Sequence, residues 1–237
     1  MARRTNPNRP FWAATGAASG GGTIPVYLNL TGASGGYAST PDAAPIDIIG
    51  DISLVAKVAL DDWTPAAQTA LIAKYDTTGN QRSYMLSVET SGALRLSWSI
   101  LGTVVITATS TVAPTIANKE WLWVRGSLDA DNGAAGNDSF FYTSTDGLAW
   151  TALGDTVTNA VATSLLSGTA ILEVGSSNTG AATLATGKIG VARVYSDKTL
   201  TTLAANFDPG VSGSHRGTSF TASTGEVWTI NGAASLE

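Results

Sequence analysis

Trp121, Trp123 and Arg125 alternate in the run WLWVRGSL. Residues two apart in a strand share a face, so these three would form a row of two indoles and a guanidinium. Such a row can take a sugar, because the apolar face of a pyranose stacks on an aromatic ring while a few polar groups fix its orientation. Trp63, beside Asp61 and Asp62 in DDWTP, offers a second group of this kind. The competing reading of these tryptophans is burial in a core or against a neighbouring subunit. Calcium is the next candidate chemistry. Asp129, Asp131 and Asn132 in DADNG, followed by Asn137 and Asp138, begin like an oxygen-ligand loop. A complete loop needs a bidentate glutamate at its twelfth position; Phe140 stands there, so a solvated turn competes with the metal site. Hydrolysis finds less support. A retaining glycosidase needs two carboxylates about 5–5.5 Å apart, but Glu89, Glu120, Glu173, Glu226 and Glu237 are scattered, and the adjacent Asp61 and Asp62 would face opposite ways. His215, the single histidine, lies in GVSGSHRGTS next to Arg216 and reads as solvated surface. No catalytic residue is assigned.

The elements that would position these groups are strands. In DISLVAKVAL, Ile52, Leu54, Ala56, Val58 and Leu60 fall on one face, with Ser53, Lys57 and Ala59 on the other. Tyr84, Leu86 and Val88 repeat the alternation against Ser83, Ser87 and Glu89, and Leu94, Leu96 and Trp98 do so against Arg95, Ser97 and Ser99. Period-two patterning of this kind marks strands with one buried side. The intervening Thr90-Ser91-Gly92 predicts an antiparallel hairpin, and Asp146-Gly147 predicts another between Ser139–Thr143 and Trp150–Leu153. Further strands are expected at VYLNLTG, GGYAST, Leu71–Tyr75, Val104–Thr109, Glu120–Leu128, Ile171–Gly175, Lys188–Tyr195, Ser219–Ala222 and Val227–Asn231. Pro41–Gly50 reads as a crossover that includes a helical turn, and Ser196–Phe207 as a second short helical turn. Many short strands with glycine-bearing turns indicate a sandwich or barrel, and no repeat of fixed period argues for a propeller or solenoid.

Composition narrows the partners. With 237 residues the chain is long enough for one large β domain. Apolar residues make up 43% and charged ones only 13%, which excludes a disordered chain. The net charge of −5 argues against nucleic acid as a general partner. The absence of cysteine excludes disulfides and thiol chemistry, so packing alone must hold the core. No apolar run is long enough to span a bilayer, and no apolar stretch follows Arg3 and Arg4 to make a signal peptide. The expectation is a protein outside membranes that leaves a cell by lysis or on a larger particle.

Residues 1–25 differ from the rest. MARRTNPNRPFW carries Arg3, Arg4 and Arg9, and the following AATGAASGGGTIP is a small-residue tract without periodicity. This reads as an N-terminal arm with Phe11 and Trp12 as its apolar plug, an anchor that orders against a partner.

From Val26 to Ile230, the succession DISLVAKVALDDW, LIAKYDTTGNQRSYMLSVETSGALRLSWS, WLWVRGSLDADNG, FFYTSTDGLAW, LEVGSSNTG and GKIGVARVYSD resembles the laminin-G-like, concanavalin A-like jelly roll. The wording of DDWTP and KYDTTGNQRSY is similar to that of minor tail or virion-surface proteins of tailed phages. STDGLAW resembles the Asp-box hairpin of sialidase propellers; as a single copy it reads as structural, with Asp146 organising the turn and Trp150 packing beneath. The resemblance implies an all-β antiparallel sandwich over residues 26–237 carried by the arm. It implies a non-enzymatic virion structural protein, a minor tail or surface protein that recognises a glycan or host receptor, with other virion proteins held through the arm. It also implies a homo-oligomer, a trimer being one form, and raises calcium as a ligand. A capsid decoration protein and a free carbohydrate-binding module stand as the alternatives.

Overall fold

Strand β3 (Ile52–Leu60) lies at the centre of one sheet and is buried on both sides except at Lys57. Its row Ile52, Leu54, Ala56, Val58 and Leu60 faces the core, as the alternation requires. The opposite row, Ser53, Val55 and Ala59, is also buried, because long side chains from neighbouring strands lie across it. A computed structural model describes residues 26–211 and 217–237; the arm residues Arg3, Arg4, Arg9, Phe11 and Trp12, and His215, lie outside the described residues.

In chain order, β1 (Leu28–Thr31) and β2 (Tyr37–Thr40) precede β3; β4 (Thr69–Asp76), β5 (Gln81–Val88), β6 (Leu94–Trp98) and β7 (Ile106–Thr109) follow it. Next come β8 (Leu122–Asp129), β9 (Asn137–Ser144), β10 (Thr151–Ala152), β11 (Val157–Asn159) and β12 (Leu172–Val174). The last are β13 (Thr186–Tyr195), β14 (Leu203–Phe207), β15 (Ser219–Thr221), β16 (Val227–Asn231) and β17 (Ser235–Leu236). They form two antiparallel sheets. One runs β10-β9-β8-β3-β13-β1-β17, with β11 on β9 and β14 on β13; the other runs β15-β16-β2-β12-β4-β5-β6-β7. Consecutive strands pair only within hairpins, so the chain crosses repeatedly between layers.

The two inner faces share one hydrophobic core. Leu54, Ala56, Val58, Val124, Phe141 and Ile189 from the first sheet meet Ile72, Leu86, Val88, Leu94, Leu96, Trp98, Val174 and Trp228 from the second. Where the layers approach closely, β8 carries Gly126; a Cβ there would lie 2.9 Å from Leu96 Cδ2. Two of the buried indoles find partners for their N–H groups: Trp98 Nε1 donates to Thr163 Oγ1 at 2.9 Å and Trp228 Nε1 to the Asn206 carbonyl at 3.2 Å.

The hairpins at Thr90–Gly92 and Asp146–Gly147 form as expected, and the crossover contains a 3-10 turn at Ala44–Ile46. Ser196–Phe207 differs. Instead of a helical turn, Asp197 accepts from the N–H groups of Thr199, Thr201 and Thr202 in a tight loop, after which β14 pairs with β13. Among the described residues no helix is long and apolar enough to cross a membrane.

Candidate functional site

Strand β8 turns Trp123 and Arg125 outward, opposite Lys57 and Val55 of β3 on one side and Ser144 and Tyr142 of β9 on the other. Trp121, just before β8, joins the same face. Lys57 Nζ lies 5.4 Å from the centroid of Trp121 and 5.8 Å from that of Trp123, so one ammonium serves both indoles. Cations over aromatic faces at such distances are attracted by the ring quadrupole. On its far side, Trp121 meets Tyr27 edge-to-face at 5.9 Å and 61°, and Lys188 Nζ sits 4.6 Å from the Tyr27 ring. Arg193 lies 5.7 Å from Trp123 and Arg125 4.7 Å from Tyr142. The outer face of this sheet therefore carries a continuous row, Lys188–Tyr27–Trp121–Lys57–Trp123–Arg193, in which cations and rings are interleaved.

The row is built by long-range pairing. Lys188 stands opposite Ala59, and a bulge at Gly190 shifts the register so that Val191 stands opposite Lys57. Gly190 presents no side chain, which leaves the Trp121 ring room to lie over the bulge, 3.4 Å from where a Cβ would sit. On the other flank, the β9–β10 turn closes against Trp123. Asp146 Oδ1 accepts from the N–H groups of Leu148 at 2.8 Å and Ala149 at 2.9 Å, which hold its carboxyl below the usual range, and Ser144 Oγ adds a third bond at 2.9 Å. Tyr27, Lys57, Trp121, Trp123 and Lys188 are all half-buried.

The cations of this face are unequally committed. Arg193 pairs with Asp208 at 3.1 Å and donates through Nε to Asn206 Oδ1 at 3.0 Å. Arg125, 8% exposed, donates to Ser127 Oγ at 2.7 Å and to the Lys198 carbonyl; burial pushes its guanidinium down from its ordinary value. Lys198 is held by Asp129, whose hydrogen bond raises the ammonium. Lys57 and Lys188 have no carboxylate within ion-pair distance and no hydrogen-bond acceptor among the described residues.

Of the expected sugar-binding residues, Trp121, Trp123 and Arg125 are brought together. Trp63 is not with them: it is 4% exposed and packs into the core, with its Nε1 lacking a partner, so its ring offers no platform. Asp62 caps its own turn by accepting from Thr64 N at 2.9 Å and Thr64 Oγ1 at 3.1 Å, and Asp61 is exposed at the end of β3. The calcium candidates are likewise engaged. Asp129 pairs with Lys198, Asp131 accepts from Gly133 N at 3.1 Å, and Asn132 accepts from Ala134 N at 2.9 Å and Gly136 N at 3.2 Å. Among the described residues, no three His, Cys, Asp or Glu side chains gather as a metal site. Sequence reading passed over Tyr27, Lys57, Lys188 and Arg193. A lone charge within the outward row of β3 was the one local signal for Lys57; the others depend on which strands pair.

No family model matches the sequence, and no curated protein does. Solved structures match in shape. A heptameric SAP-like pentraxin from Limulus polyphemus superposes with a TM-score of 0.50 at 12% identity, covering 76% of this chain and 79% of that one. The CBM40 domain of the Ruminococcus gnavus IT-sialidase, bound to α2,3-sialyllactose, gives 0.51 at 15% identity over 72% of this chain and 92% of that one. Domains LG4-5 of the mouse laminin α1 chain give 0.50 at 14% identity, with 74% and 43% covered. The fold is a concanavalin A-like jelly roll. Of these three, the CBM40 domain is the one solved with a sugar bound, and the jelly roll itself carries many functions.

Proposed function

We propose that this jelly roll is a non-enzymatic saccharide-binding protein whose ligand stacks on the Tyr27–Trp121–Trp123 face. The interleaved row of rings and cations carries the reading, because it supplies apolar planes and polar donors side by side on one sheet. The sugar-bound CBM40 neighbour is consistent with it. The carboxylates support the absence of hydrolysis. Glu89 pairs with Arg95 at 2.9 Å, Glu173 is buried beneath its own loop, and Glu237 accepts from Asn29 at 3.0 Å. A cleft of about 300 Å³ between Pro41, Pro45, Ala204 and Glu226 has one charged lining group, and Glu226 Oε1 is already taken by Asn206 N–H at 2.6 Å.

The finer reading is a recognition protein on a phage particle, a minor tail or surface protein held by the arm at residues 1–25, with a capsid decoration protein as the alternative location. Its support is the wording of DDWTP and KYDTTGNQRSY, and the arm's pairing of three arginines with Phe11 and Trp12. Assembly as a homo-oligomer belongs to the same reading. A glycan array probed with the intact protein and with Trp121→Ala tests the binding. Signals that fall by about tenfold or more in the variant, at unchanged melting temperature, are expected from loss of one stacked ring; a blank array for the intact protein refutes it. Removal of residues 1–22 should release the protein from particles, and unchanged particle content would refute the anchor.

A further inference from the structure

We infer that the saccharide is anionic, with carboxylate or sulfate substituents that meet Lys57 and Lys188 at the two ends of the Tyr27–Trp121 ring pair. The inference deepens the sugar-binding reading above and rests on it. On this face Arg193 is neutralised by Asp208 and Lys198 by Asp129, and Arg125 is buried against Ser127 and Tyr142. Lys57 and Lys188 alone among these five cations keep both partial exposure and an uncommitted charge among the described residues. Neighbouring Glu237 is engaged by Asn29 and Ser235 rather than by Lys188.

Geometry makes the two lysines useful rather than incidental. Lys57 Nζ is 5.4 Å from Trp121 and Lys188 Nζ 4.6 Å from Tyr27, with the two rings 5.9 Å apart between them. Ring contact already restricts both stems, so less side-chain entropy remains to be lost when an anion arrives. A pyranose over the ring pair would place its own substituents, or those of the next residue, within reach of either ammonium, where charge-assisted hydrogen bonds form. Packing alone also places lysine stems on aromatic rings, and this is the reading that the test must exclude.

Titration calorimetry with dextran, hyaluronan and dextran sulfate separates the cases, using the full chain, Lys57→Met and Lys188→Met. Methionine keeps an unbranched stem on the ring and removes the charge. The expected result is binding of hyaluronan or dextran sulfate at least about tenfold tighter than dextran, with each substitution losing about tenfold for the acidic polymer and clearly less for dextran, which keeps the ring stacking and loses only neutral hydrogen bonds. Preference for hyaluronan or for dextran sulfate identifies carboxylate or sulfate as the group recognised. Equal affinity for all three polymers overturns the inference and leaves the sugar-binding reading standing. Failure of all three, together with a blank glycan array, removes both. Single-stranded DNA that binds as tightly as dextran sulfate also overturns it, since the face would then be a general polyanion surface.

Discussion

Glu173 is 1% exposed, yet both of its carboxylate oxygens are occupied. Oε1 accepts from Thr179 N–H at 2.7 Å, and Oε2 from Gly180 N–H at 2.9 Å and Ser176 Oγ at 2.6 Å. Burial raises its pKa above the ordinary glutamate value, and the three donors offset only part of that shift. A folded-state pKa above the unfolded one means that the folded chain holds the proton more tightly. The stabilisation is therefore fully present below the unfolded value of 4.5 and declines as pH rises through the higher folded value. Asp197 acts in the opposite sense: its threonine donors outweigh desolvation and depress it, so its contribution is present above 3.8 and fades only as pH falls further. The two windows do not overlap. Glu173→Gln isolates the first. Whichever way the amide is turned, its NH2 faces one of two backbone N–H groups, which costs about 1–3 kcal/mol. Urea unfolding at steps from pH 4 to 7 should show wild type losing stability relative to the variant as pH rises; parallel curves would remove Glu173 as the titrating group.

The β9–β10 turn shows what one element contributes to the proposed binding face. Gly147 at its tip has φ +76°, and a Cβ there would lie 2.7 Å from Trp123 Cε2. Left-handed backbone costs an L-residue about 1–2 kcal/mol, and the methyl must in addition displace the indole. Gly147→Ala should therefore lower stability by at least that amount and alter the near-UV circular dichroism of Trp123 and, on the saccharide-binding proposal, weaken saccharide affinity with it. An unchanged aromatic spectrum would show that the turn does not position the ring. This hairpin was legible in the sequence because Asp-Gly carries its turn chemistry locally, as were the alternating rows of β3, β5 and β6. The Ser196–Phe207 segment was not. Its apparent helical turn is an Asp197 side chain gathering threonine N–H groups, and β14 then exists because β13 offers it an edge, Tyr195 pairing with Leu203 and Ala192 with Phe207, which no local pattern announces. Very short β17 and β11 depend on β1 and β9 in the same way.

At the scale of the molecule, the sheet pairing decides what the outer face around Trp121 and Trp123 contains. Trp121, Trp123 and Arg125 were visible together because they alternate within one short run leading into β8, whereas Tyr27, Lys57, Arg193 and Lys188 come from three other segments and meet only in the folded sheet. Trp63 looked equivalent to them in sequence; the close of the sandwich buries it instead. The same dependence on remote segments governs stability at Lys74, whose side chain is fully buried. Its Nζ reaches Asp42 at 2.5 Å, Asp47 at 3.3 Å, the Ala170 carbonyl at 3.0 Å and the Gly168 carbonyl. One ammonium thus ties the 42–47 crossover and the 168–170 segment to β4, and Tyr84 reinforces the crossover by donating to the Ile46 carbonyl at 3.0 Å. Lys74→Met fills a similar volume but strands two carboxylates and two carbonyls. Removing one partner of a buried pair costs about 3–5 kcal/mol; Asp42 and Asp47 keep 28% of their side-chain surface, but the Asp47 Oδ1 that faces Lys74 is itself buried with no hydrogen-bond partner, so the loss should fall within that range of about 3–5 kcal/mol. Because both sheets share one core, that loss should appear as a lower urea midpoint with an unchanged slope, coincident by tryptophan fluorescence and far-UV circular dichroism. Separate transitions for the two probes would mean that the crossover melts on its own and that Lys74 stabilises a local unit instead of the whole sandwich.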